Sequence, residues 1–246
     1  MEKVSVIIPT YNRFNYLLNT INSVKSQTHK NIEIIVVNDG STQPEYYSHN
    51  WDDIIIINLE RNTKEMFGYA SVGYVINKGL EVFTGDYFST CDDDDMWFPN
   101  KLELQLNAMK RTKCMMSCTD GLIGQGVYNP NITYKKYNAE HYYDVLQNIY
   151  RNKGSSLLEN GFPDVWDLEF LKIHNCIIAC SVLIHKDIIR KIGKQLEIKM
   201  GGAQIGNQTF YIDYEYWLSA LSYTDCVYVN DICVYYDDGH GNGNLY

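Results

Sequence analysis

Residues 91–102 read CDDDDMWFPNKL. Four adjacent carboxylates, Asp92 to Asp95, repel one another, so the fold must either leave them in water or supply positive charge. They close a strand-like run, DYFSTC at 86–91. Successive side chains of a strand point to opposite faces, so Asp92 and Asp94 can face one cleft. Hard carboxylate oxygens suit Mg²⁺ or Mn²⁺ better than Zn²⁺. Mg²⁺ commonly takes one or two protein carboxylates and completes its shell with phosphate oxygens and water. The competing reading is a solvated turn in which Asp95 caps the helix that follows. Other polar groups also fall at ends of apolar runs: Thr10, Tyr11 and Asn12 after VSVIIP, and Asp39 after IEIIVV.

The elements that must position these groups follow from apolar periodicity. VSVIIP (4–9), IEIIVV (32–37), 54–57 and DYFSTC read as short buried strands. Phe14, Leu17, Leu18, Ile21 and Val24 repeat at helical spacing. Apolar residues from Met66 to Phe83 predict one long helix, and Pro99 suits the start of a helix carrying Leu102, Leu106 and Met109. Strands alternating with helices predict an α/β fold: a doubly wound, mostly parallel sheet with helices on both faces and a Rossmann-like N-terminal half. Such sheets bind ligands at the carboxyl ends of their strands, where these polar groups lie. In the second half, 142–150, 185–193 and 212–221 read as helices, 175–184 and 226–236 as strands, and the glycine- and asparagine-rich segments 200–208 and 239–244 as mobile loops. No hinge separates the halves, so 1–246 is read as a single domain, with 1–110 as the ligand-binding half and 111–246 completing the site.

The 246 residues carry a net charge of −9, which argues against a nucleic-acid partner. The start shows no secretory signal pattern and no run is long enough to span a bilayer. Seven cysteines, an odd number in apolar surroundings, suggest reduced thiols; a soluble cytoplasmic protein is expected. Zinc at the CMMSC and CIIAC pairs is weakly supported, since both sit in apolar runs. Lys186, Arg190, Lys191 and Lys194 read as a solvated helix face, with peripheral membrane contact as the alternative.

VSVIIPTYNR, SVKSQTHKNIEIIVVNDGST, NKGLEVFTGDYFSTCDDDDMWFPNKLELQ and ACSVLIHKDIIRKIG occur in the order, and IDYEYWLSAL at the place, that glycosyltransferase family 2 shows. The chain resembles that family densely to about residue 110 and more loosely to about 240. The resemblance implies a GT-A fold and an inverting, metal-dependent transferase that moves a sugar from a nucleoside-diphosphate sugar, usually a UDP-sugar, to a hydroxyl of a saccharide, lipid-linked or protein acceptor in glycan biosynthesis. Thr10, Tyr11 and Asn12 would line the nucleotide pocket and Asp39 would bind the base. Asp92-x-Asp94 would be the DXD motif, with Asp94 a ligand of Mn²⁺ or Mg²⁺ and Asp92 reaching the metal or ribose. Asp93 stands where the family often has a small residue, and Asp95 would brace the loop or touch the donor. Asp213 would be the catalytic base, with Ile212 in place of the family's usual glutamate; the alternative is a carboxylate placed for the helix dipole. His240 would approach the metal or diphosphate. Apart from the resemblance, aromatic side chains can stack on sugar rings, and among the abundant aromatics Trp97 and Trp217 are the candidates for the acceptor side. With no lysine or arginine assigned near the diphosphate, strong metal dependence follows. The rivals are a catalytically silent sugar-nucleotide-binding domain and a sugar nucleotidyltransferase, whose glycine- and lysine-rich start is missing here.

Overall fold

In the computed structural model of the chain, residues 2–239 are described. The first half builds β1 (Val4–Thr10), α1 (Phe14–Lys25), β2 (Ile32–Asn38), α2 (Glu45–Ser48), β3 (Ile54–Asn58), α3 (Thr63–Phe67), α4 (Val72–Leu80), β4 (Tyr87–Thr90), β5 (Met96–Trp97) and α5 (Lys101–Thr112). The rest follows as β6 (Met116–Gly124), β7 (Lys135–Lys136), α6 (Tyr143–Asn152), β8 (Val165–Trp166), α7 (Leu168–Leu171), β9 (Leu183–His185), α8 (Lys186–Ile192), β10 (Ala203–Ile205), β11 (Gln208–Phe210), α9 (Ile212–Leu221) and β12 (Cys226–Asp237).

One sheet runs through both halves in the order β3-β2-β1-β4-β9-β6-β12-β5. The pairs β3–β2, β2–β1 and β1–β4 are parallel, and so is β6–β12; β9 lies antiparallel between β4 and β6. All seven residues of β1 are buried, as a strand covered on both faces requires. Ile7 faces the core built with α4, α8 and α9, whereas Val6 and Ile8 face the core built with α1 and α5. Burying each such isoleucine is worth roughly 2 kcal/mol. These cores fix which helix lies over which strand, and so which loops meet at the sheet's carboxyl edge.

Three elements differ from expectation. The helix over 66–83 is two helices, because Gly68 takes a left-handed conformation (φ 79°) and ends α3, leaving 68–71 free to turn. The strand over 175–184 shrinks to β9, preceded by a 3₁₀ turn at Ala179–Ser181. The segment 200–208, read as a mobile loop, holds most of a hairpin that runs to Phe210, since β10 pairs antiparallel with β11. No helix of the described residues is long and apolar enough to cross a membrane.

Candidate active site

The acid run sits where β4 stops, and β1, its neighbour, stops beside it. Its backbone is pinned from below: Thr20, buried on α1, donates its hydroxyl to the carbonyls of Asp95 (2.7 Å) and Asp93 (2.9 Å). From the far end of the sheet the backbone N–H of Asp237 donates to Asp95 Oδ1 at 2.9 Å. Asp95 therefore braces the loop against β12.

The loop opens into a cleft of about 680 Å³ whose walls include Thr10, Arg13, Asp92, Asp93, Asp94, Asn175, Asp213 and Trp217. Asp213 lies in the first turn of α9 and its Oδ2 receives the Asn175 amide at 3.5 Å. Burial pushes its carboxyl above the ordinary range, while the Tyr214 N–H and Asn175 pull it back. Burial also raises Asp92, helped by the charges of Asp94 and Asp213 and opposed by Arg13. Asp213 is thus near enough to be felt by Asp92 of the acid run, although it stands 118 positions beyond Asp95 in the chain.

The charge that offsets the aspartates is Arg13. Its Nη1 lies 2.5 Å from Asp94 Oδ2 and 3.1 Å from Asp93 Oδ1. Sequence reading gave Arg13 no role; the structure places it against the acid run. The available signal was charge balance, since four aspartates at one strand end require a cation and Arg13 stands just past another strand end. Asn175 carried no signal, because it lies in an irregular segment.

Asp93 Oδ2 and Asp95 Oδ2 are buried without a hydrogen-bond partner. No hydrogen bond within the described residues reaches the Asp92 carboxylate. One arginine against four carboxylates leaves the site short of positive charge, and the donors are hard oxygens. These residues fit a divalent cation held by Asp92 and Asp94, although no three metal-binding side chains converge among the described residues.

Thr10 lines the cleft, whereas Tyr11, Asn12 and Asp39 are not among the residues that line it. Asn12 adopts φ 52°, a conformation asparagine tolerates, and its Oδ1 receives the Thr42 N–H at 2.8 Å. It therefore ties the loop after β1 to the loop after β2. Asp39 is fully buried, and its carboxylate receives the N–H (2.8 Å) and hydroxyl (2.7 Å) of Thr63. Ile212 packs toward Gly73 of α4, which accounts for an apolar residue before Asp213.

Trp97 is corrected. It is 2 % exposed, its Nε1 donates to the Cys180 carbonyl at 2.9 Å, and it packs in the core, so it offers no face to an acceptor. Trp217 contributes to the cleft wall but is 1 % exposed, with Nε1 buried and unpartnered. His240 lies outside the described residues. The basic residues lie on a solvated face, as read from the sequence: Lys186 pairs with Asp86, Arg190 with Asp187 and Lys194 with Glu81.

The model of glycosyl transferase family 2 matches residues 5–192. The chain belongs to this family. This family-2 chain is 28% identical over 235 residues to an uncharacterised glycosyltransferase of Rickettsia typhi, covering 94% of itself and 62% of that protein. It is 36% identical over 121 residues to TuaG of Bacillus subtilis, named for teichuronic acid biosynthesis, covering 47% of itself and 45% of TuaG. Among solved structures, S. aureus TarS 1–349 in complex with UDP-GlcNAc superposes with a TM-score of 0.63 at 16% identity, covering 99% of this chain and 61% of that one. The fold is therefore GT-A. The chain spans less than two thirds of the length of each of these relatives.

Proposed function

We propose that this family-2 chain is a metal-dependent inverting glycosyltransferase that moves a sugar from a UDP-sugar to a hydroxyl acceptor in glycan biosynthesis. The observation that carries the reading is one cleft holding both the strand-end carboxylates after β4 and Asp213 on α9. The first set suits a diphosphate with its cation; the second suits an attacking hydroxyl. The names of TarS bound to UDP-GlcNAc and of TuaG support a uridine donor and a cell-wall polymer as the setting.

In this reading the acceptor hydroxyl lies against Asp213, whose carboxylate takes its proton as the oxygen attacks the anomeric carbon. The nucleoside diphosphate leaves from the opposite face, which inverts that carbon. Asn175 orients the base through Oδ2. Burial raises the proton affinity of Asp213, which helps a general base operating near neutral pH. Asp92 and Asp94 would hold Mn²⁺ or Mg²⁺, which when bound neutralises charge on the leaving diphosphate, an effect worth several kcal/mol. Thr10 and Arg13 complete the donor side, and Asp95 holds the loop to β12.

A panel of nucleotide sugars, with Mn²⁺ present or chelated, tests this through thermal stabilisation and release of nucleoside diphosphate. One donor is expected to stabilise the protein only with metal. Asp213→Asn should bind that donor normally while losing about 10²- to 10⁴-fold in turnover, the usual worth of a general base. Normal turnover by Asp213→Asn would assign the base elsewhere. Donor binding without turnover by wild-type protein would instead favour a silent binding domain.

A further inference from the structure

Arg13 does more than balance charge. Its backbone N–H donates to Tyr46 Oη at 3.0 Å, and Tyr46 Oη also bonds Thr10 Oγ1 at 2.6 Å, so the base of the side chain is fixed at the end of β1. The guanidinium crosses to the β4 loop and meets two carboxylates with one nitrogen. Among the described residues lining the cleft it is the one lysine or arginine, facing Asp92, Asp93, Asp94, Asp213 and Asp237. His174 also lines the cleft, but burial and His141 lower its pKa, so it adds little positive charge at neutral pH.

Resting on the proposed function, Asp94 has two suitors. Arg13 holds its Oδ2, and a catalytic divalent cation needs the same carboxylate. Two cations on one carboxylate repel each other strongly in a site sheltered from water. A guanidinium displaced from Asp94 finds its next anion in the diphosphate that arrives with the cation, and arginine matches phosphate oxygens bidentately. Asp93 is the second anchor. Its Oδ1 keeps Arg13 at the site and its Oδ2 has no partner, which gives this residue a use where the family often has a small one.

We propose that Arg13 is an exchangeable countercation: it holds Asp93 and Asp94 before metal binds and transfers to the donor diphosphate when the divalent cation takes Asp94. Arg13 is therefore both a competitor of the metal and a positioning residue for the donor.

Calorimetric titrations with Mn²⁺ alone, and with UDP at saturating Mn²⁺, test the exchange without any turnover. Arg13→Gln is expected to bind Mn²⁺ about tenfold more tightly and UDP about tenfold more weakly, since each state loses one charge-assisted partner. In thermal melts Arg13→Gln should start below wild type without metal and gain more from Mn²⁺ than wild type does. These opposite shifts are the signature, because a merely structural arginine would weaken both ligands together. Weaker Mn²⁺ binding by Arg13→Gln, or no change in either constant, overturns the exchange while leaving the transferase reading intact. Wild-type protein that binds neither Mn²⁺ nor UDP overturns both.

Discussion

Replacing Lys101 with methionine separates the cost of a buried ammonium from the packing of its stem. Lys101 is 0 % exposed at the start of α5, with Nζ 2.8 Å from Gln105 Oε1 and 3.8 Å from the centroid of the Trp97 ring. No carboxylate among the described residues pairs with it, and burial lowers its pKa from 10.5 to about 8. The thiols around it do not help. Cys91, Cys118 and Cys180 are held well above their ordinary range by burial and Cys233 is raised to about 11, so all stay protonated as Lys101 titrates. Between pH 8 and 10.5 the unfolded chain keeps this proton and the folded chain gives it up, so Lys101 adds stability as pH rises. Below pH 8 the full cost applies, roughly 3 kcal/mol at 1.36 kcal/mol per pKa unit. Methionine keeps the stem but forfeits the hydrogen bond to Gln105, about 1 kcal/mol, while the cation–ring contact is already counted in the shift and is absent from the neutral amine. The variant should therefore be about 2 kcal/mol more stable than wild type at pH 7 and about 1 kcal/mol less stable near pH 10.5. Urea unfolding of both proteins at fixed ionic strength in reductant measures the difference, and titrations common to both chains cancel. A difference that stays flat from pH 7 to 10 would refute a buried, unpaired ammonium.

Two further substitutions test how the site is held. Thr20→Val keeps the shape of the side chain but strips the hydroxyl from the carbonyls of Asp93 and Asp95; a loss of about 2 kcal/mol is expected, seen as a melting temperature lower by about 4–8 °C together with weaker Mn²⁺ binding. Gly73→Ala would drive a methyl into the Leu196 carbonyl and within 3.2 Å of Ile212 Cγ2; overpacking of this kind should cost about 2 kcal/mol and lower turnover more than donor affinity, because the shift reaches Asp213.

What could be read from the sequence, and what could not, divides by the range of the forces involved. β1, α1, β2 and the carboxyl-edge placement of the acid run are local consequences of apolar periodicity, and sequence shows them well. Gly68 was also visible, but its effect depends on 68–71 turning toward Thr63, whose hydroxyl receives the Ser71 N–H at 3.0 Å. β9 could not be delimited, because three residues become a strand only by fitting between β4 and β6. The burial of Trp97 likewise depends on Cys180, 83 residues away.

Arg13 shows why a site can be half legible. Both partners were in plain view, one in IPTYNR and one in CDDDD, and each was read as belonging to its own motif. Their pairing is set by strand order, because β4 joins the sheet beside β1 and not beside β3. This brings residues 81 positions apart within 2.5 Å. Four aspartates on that edge without a cation would cost more than any local propensity could offset, so some cation had to be close. Charge balance thus predicts that a partner exists, and topology names it. The reverse inference is also useful: where an acidic strand end stands beside a strand followed closely by arginine, the first cation to expect at the carboxylates is the protein's own, and a metal must be judged by whether it can displace it.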